Sequence, residues 1–173
     1  MISFLAYFER SCVAIAFVLS AVWKMHHNGE FRLVLSALLP LRADRFRRLY
    51  AILGLLVPLV EFAIAAVLVF PHGTGRIGAI AAGLLVVVLG STLLRRDLSE
   101  GCGCWSAPRV NRGALITRNV ILLALALTSV PADAGPAWPV AVFGLAVGAA
   151  FAFLIMEIPT IYAYLDQLKV VLR

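Results

Sequence analysis

Gly101-Cys102-Gly103-Cys104-Trp105 is the segment of this 173-residue chain whose residue types and spacing point most directly to chemistry. Two cysteines one residue apart can close a small, strained disulfide ring, and the flanking glycines supply the backbone freedom it needs. Strain makes a disulfide more oxidising and quicker to exchange. Arg95, Arg96, Arg109 and Arg112 lie nearby in sequence and favour thiolate over thiol, whereas Asp97 and Glu100 oppose them. A redox-active pair is therefore one reading. A zinc site is a second, because His26 and His27 fall on the same predicted side. Adjacent histidines are poor ligands for one ion, and no second C-x-C or C-x-x-C exists, so no metal is assigned. The third reading is two small loop residues with no chemical role. Cys12 lies in an apolar stretch toward the opposite face and reads as a packing residue.

Ionisable residues within apolar stretches form the second group of candidates, because such groups are costly in a bilayer and are usually paired or functional. Glu61 follows Pro58 by three residues in the middle of one stretch. Solvation cost requires it to be protonated or paired across a bundle. It is a candidate for handling protons or a quinone, and equally for a structural helix–helix hydrogen bond. Glu157 lies 19 residues beyond Trp138, roughly 28 Å along a helix, which brings it to a membrane boundary. Arg118 and Asn119 enter another stretch about one turn deep from the same side, and Lys24 ends the first stretch there. These four form a candidate charged cluster under the cysteine segment, or else a set of ion-paired and snorkelling side chains.

The elements that must position these residues are membrane spans. The chain is 62% hydrophobic and 14% charged, with a mean hydropathy of +0.98. A soluble domain is about 45–50% apolar and about 25% charged, so soluble and disordered classes are both excluded. Three cysteines exclude a disulfide-dense scaffold. Spanning helices need about 20 apolar residues, and five stretches qualify: 4–23, 49–70, 77–94, 114–130 and 138–159. The expectation is an all-α polytopic bundle of about five transmembrane helices with a four-helix core, occupying 1–173 as a single integral-membrane domain. The start lacks the basic region and cleavage site of a signal peptide, so the first stretch is expected to be retained. Residues 31–40 are apolar but too short to cross, and read as re-entrant or interfacial. Turn signals at 71–75 and 131–136 separate neighbouring spans.

Five crossings place the N-terminus, 71–76 and 131–137 on one side, with Arg10 and Arg76 as its only basic residues. The other thirteen of the fifteen Lys and Arg residues lie on the side holding 24–48, 95–118 and the C-terminus. The positive-inside rule makes the second side cytoplasmic, leaving the N-terminus outside. The net charge of +6 is thus a topology signal, with the lipid bilayer as the partner and no nucleic acid implied. Trp23, Tyr50, Tyr162 and Tyr164 at one end, with Trp138 at the other, read as interfacial aromatics. Gly144-x-x-x-Gly148 and Ala79-x-x-x-Gly83 are close-packing patterns, expected to act within the bundle rather than in dimerisation.

Several of these features, in order, resemble the MauE family of methylamine-utilisation proteins, within the DoxX-like redox-associated membrane proteins. They are Trp23-Lys24 closing the first helix, Leu38-Leu39-Pro40, Pro58-x-x-Glu61, Gly101-Cys102-Gly103-Cys104 followed by an aromatic, and Arg118-Asn119. The resemblance covers about residues 10–130. The family pattern has Phe-Gly after the cysteine pair, where this chain has Trp105-Ser106. The resemblance implies a multi-pass protein of the bacterial inner membrane linked to maturation of a disulfide-rich dehydrogenase subunit. It further implies a thioredoxin-like partner, a disulfide-containing client, and quinone as a candidate cofactor.

Together these readings point to a thiol–disulfide oxidoreductase or maturation protein in which Cys102 and Cys104 exchange. Lys24, Arg118, Asn119 and Glu157 would support the site. The alternatives are a non-catalytic membrane scaffold and a small transporter using Glu61. One tension accompanies the redox reading. Oxidation of an exported client needs thiols on the outer side, yet the basic residues put Cys102 and Cys104 on the inner side. A crossing at 31–40 would reverse this, at the cost of leaving many basic residues outside.

Overall fold

Several charged side chains of the apolar helices are buried in this protein, while many large apolar ones are exposed. Leu84 and Phe143 are 62% and 61% exposed, while Lys24 and Glu61 are 1% and 2% exposed. That inversion is expected of a bundle whose outer solvent is lipid. The structure is a computed structural model that describes residues 2–38, 43–69, 75–95, 112–129 and 138–171. Six helices account for nearly all of them: α1 (Ile2–His26), α2 (Asn28–Leu38), α3 (Ala43–Val69), α4 (Gly75–Arg95), α5 (Arg112–Thr128) and α6 (Trp138–Val171). There is no strand among the described residues. The fold is an all-α helical membrane bundle, in which each helix satisfies its own backbone groups as a bilayer demands.

Arg48–Val69 of α3 and Ala141–Ile161 of α6 are each long and apolar enough to cross a membrane. Arg76–Val88 and Gly113–Thr128 are shorter apolar helical runs. Helix α1 carries Glu9, Arg10 and Lys24 within it, and all three turn toward the protein rather than toward lipid. Helix α1 is central and packs on α3, α5 and α6, while α4 lies against α3 and α5. Its small residues Ala14 and Ala16 let neighbours approach, and Val13 and Phe17 meet Ile64, Leu122 and Ile155 in one apolar core. Cys12 lies in that core as a buried free thiol, the packing role expected of it.

Contacts along the helices fix their directions. Arg10, near the start of α1, donates from Nε and Nη2 to the carbonyl of Ser129 at 3.3 and 3.0 Å, just past the end of α5. A cation there also complements the negative end of the helix dipole. The start of α4 meets the end of α3, where a Cβ at Gly78 would lie 3.1 Å from the Leu68 nitrogen. Gly144 and Gly148 face α1 at successive turns, near Tyr7 and Ser11 respectively, so α6 runs parallel to α1. Their spacing serves packing inside the bundle. Ala79 is buried, and Gly83 faces Leu123 of α5 at 3.5 Å.

The starts of α1, α4 and α6 thus share one end with the finishes of α3 and α5. This alternation is the one expected from five crossings. Helix α2 adds none: its 11 residues span about 16 Å, against about 30 Å of hydrocarbon. It follows α1 after a single turn residue, His27, whose backbone N–H donates to the Trp23 carbonyl at 2.8 Å. Phe31 and Leu35 pack on Tyr50, Leu53 and Val57 of α3. Tyr50, expected at a membrane interface, is instead buried under α2. Helix α6 runs through Pro159 for a further three turns beyond the expected end, because an isolated proline is tolerated in a bundled helix. The turn signals at 71–74 and 131–136 lie outside the described residues.

Candidate functional site

Lys24 sits in the last turn of α1, and its ammonium reaches across to Glu61 of α3 in a buried salt bridge. The Ser20 hydroxyl, one turn earlier on the same face, donates to the same carboxylate oxygen at 3.4 Å. The Lys24 ammonium also lies 5.4 Å from the centroid of the Phe31 ring, so α2 covers the pair with an aromatic face. Of the two expectations for Glu61, the structure shows the paired one. Its partner is Lys24, which sequence reasoning had grouped with the boundary cluster.

Pro58 explains how α3 accommodates this site. A proline at position 58 has no N–H to donate to the carbonyl of Gly54, four residues earlier. The Asn28 side-chain amide donates to that carbonyl at 3.1 Å. The missing Cβ of Gly54 makes room for this: one placed there would meet Arg32 Cγ at 3.1 Å and Asn28 Oδ1 at 3.4 Å. Helix α2 thus docks on α3 through the backbone defect that the proline creates, about two turns before Glu61.

A cavity of about 50 Å³ opens beside the pair, and its polar lining comes from Ser20, Lys24, Glu61, Arg118 and Asn119. Phe17, Val86, Leu122 and Met156 supply apolar walls from α1, α4, α5 and α6. Arg118 is 5% exposed, and its Nε and Nη1 are buried with no hydrogen-bond acceptor among the described residues. It lies six residues into α5, about 9 Å from the helix start. The structure therefore brings Lys24, Glu61, Arg118 and Asn119 to one cavity. Glu157 is half-buried on α6, next to Met156, and does not line the cavity. Cys102 and Cys104 lie outside the described residues. His27 stacks on Trp23 at 4.8 Å with His26 at its edge, and no metal-holding group of His, Cys, Asp and Glu occurs among the described residues.

Ser20, Asn28 and Phe31 are the site residues that sequence reasoning missed. Ser20 had a signal, because it lies one turn before Lys24 on the same helical face. Asn28 had a weaker one, since Pro58 requires some donor for residue 54. Nothing local marked Phe31, whose role depends on α2 folding back.

An all-helical membrane bundle with a buried ion pair and a second buried cation around a small cavity defines a polytopic membrane protein with a polar centre. The chain belongs to the MauE family: the family model described as Methylamine utilisation protein MauE matches residues 2–132. That range holds α1 to α5, the Cys102–Cys104 motif and every polar residue lining the cavity. No protein of curated function and no solved structure matches the chain.

Proposed function

We propose that this membrane protein of the methylamine-utilisation family is an inner-membrane thiol–disulfide redox protein that supports disulfide formation in a client. A client thiolate attacks one sulfur of the Cys102–Cys104 disulfide, forming a mixed disulfide and releasing the other cysteine as thiolate. The client's second thiolate then displaces the first sulfur. The client gains a disulfide, and its two electrons and two protons pass to Cys102 and Cys104 as a dithiol. The reverse exchange with the disulfide of a thioredoxin-like partner restores the pair. On the distribution of basic residues the N-terminus is outside, the C-terminus cytoplasmic, and the pair faces the cytoplasm.

The observation that carries this reading is the Gly101-Cys102-Gly103-Cys104 motif, inside the family match and eight residues ahead of α5. Lys24, Arg118, Asn119 and Glu157 are the supporting residues, and Glu61 the group that handles protons. Quinone, the candidate cofactor of the family resemblance, enters no step above.

The test is client disulfide content in cells carrying Cys102→Ser with Cys104→Ser at wild-type membrane abundance. Loss of client disulfides is expected, and full maturation overturns the reading. Labelling of a Cys12→Ser chain with a membrane-impermeant maleimide, before and after reduction, tests the sidedness. The expected result is labelling only after both lysis and reduction. Reduction-dependent labelling in intact cells would place the pair outside.

A further inference from the structure

Among the described residues, the charges lining the cavity sum to one positive: Lys24 and Arg118 against Glu61. Lys24 and Glu61 neutralise each other in a buried salt bridge through Oε1, and the Oε2 atom of Glu61 is buried as well. Arg118 adds one further positive charge to the same cavity, with Nε and Nη1 both buried and without an acceptor among the described residues. A guanidinium cannot escape this by losing its proton. A buried charge left uncompensated is strongly destabilising, so a group of opposite charge belongs beside it.

Size and lining narrow the class of that group. A water occupies at least about 10–15 Å³ on the same measure, so about 50 Å³ takes about three to five small atoms. One excess positive charge calls for one negative charge. The walls opposite the polar edge are Phe17, Val86, Leu122 and Met156, which favours an ion that surrenders its water readily over a strongly hydrated divalent one. Asn119, next to Arg118 in sequence and on the same cavity, supplies a neutral amide beside the guanidinium.

We propose that this cavity is a binding site for a small monoanion, halide- or formate-sized, with the Arg118 guanidinium as its principal ligand. The site shares Lys24, Glu61, Arg118 and Asn119 with the supporting residues of the redox reading, but its test reads anion binding alone, so its failure would leave thiol exchange at Cys102 and Cys104 untouched.

Chloride binding to the full chain in lipid nanodiscs tests it, read as excess broadening of the ³⁵Cl resonance and displaced by sodium formate or bromide at constant ionic strength. Wild-type protein should show saturable broadening that formate removes. Arg118→Gln should weaken it by about 10–100-fold, the range for losing hydrogen bonds from a charged donor. Leu122→Phe keeps Arg118 and fills the cavity from its apolar wall, so it should also abolish the displaceable signal. It serves as the readout if Arg118→Gln does not fold. Absence of saturable broadening in the wild type, or an unchanged signal in either folded variant, overturns the proposal.

Discussion

Lys24 of α1 and Glu61 of α3 meet in a salt bridge from which solvent is almost wholly excluded. Removing either partner strands the other charge in a medium that cannot solvate it, at a cost of about 3–5 kcal/mol. Lys24→Met and Glu61→Leu alone should each lower bundle stability by that order. The double variant should cost clearly less than the sum, because two apolar side chains replace two charges. Denaturant unfolding in mixed micelles, arranged as a double-mutant cycle, measures the coupling. Additive losses would mean the pair contributes nothing as a pair.

The Asn28 amide and the Gly54 carbonyl give a second coupled test. Asn28→Ala leaves a buried acceptor without its donor, which costs about 1–3 kcal/mol. Pro58→Ala returns an N–H to position 58 and offers that carbonyl an intrahelical donor. In the Pro58→Ala background, Asn28→Ala should therefore lose most of its effect. Stability measured for both single variants and the double variant settles this. An undiminished loss in the double variant would show that Asn28 acts through something other than the freed carbonyl.

The apolar helices could be read from the sequence because hydropathy over about 20 residues is a local property. Helices α3, α4 and α5 begin and end within a few residues of their expected bounds, apart from the earlier start of α3 at 43 rather than 49. Alternation of the ends followed from the count of crossings. Pairings were less legible. Glu61 had to find a partner, but choosing Lys24 required knowing that α1 and α3 are antiparallel neighbours in a given register. Tyr50 was misplaced for a similar reason, since an aromatic at a span end looks interfacial until a short helix covers it. The end of α6 was not legible either, because hydropathy marks where the apolar stretch stops at about 159, whereas the helix runs on to Val171.

Phe31 over Lys24 is the contact by which α2 reaches the ion pair. A ring facing a desolvated ammonium contributes about 0.5–2 kcal/mol. Phe31→Leu keeps most of the apolar contact with Tyr50 and removes the ring, so it should lower stability within that range. Phe31→Tyr should retain it. The loss should shrink when Lys24→Met is already present, and the same micellar unfolding assay reads all four chains. An equal loss in both backgrounds would assign Phe31 a packing role alone.

Two glycines separate helix propensity from helix contact. An alanine in a helix interior is favoured over glycine by about 1 kcal/mol, so Gly→Ala stabilises wherever space allows. At Gly29 of α2 nothing lies within 4 Å of an added Cβ. At Gly148 of α6 that atom would stand 3.0 Å from Ser11 Cβ, 3.1 Å from the Cys12 nitrogen and 3.3 Å from the Phe8 carbonyl. Two of those three neighbours are backbone atoms of α1 and cannot swing aside, so the helices must separate, in a bundle where close approach is a main source of association. Gly29→Ala should leave stability unchanged or raise it by up to about 1 kcal/mol. Gly148→Ala should lower it by about 1–3 kcal/mol, the usual cost of overpacking. Stability measured in parallel on the two variants gives the comparison, and a stabilising Gly148→Ala would show that α1 and α6 are not held at this separation.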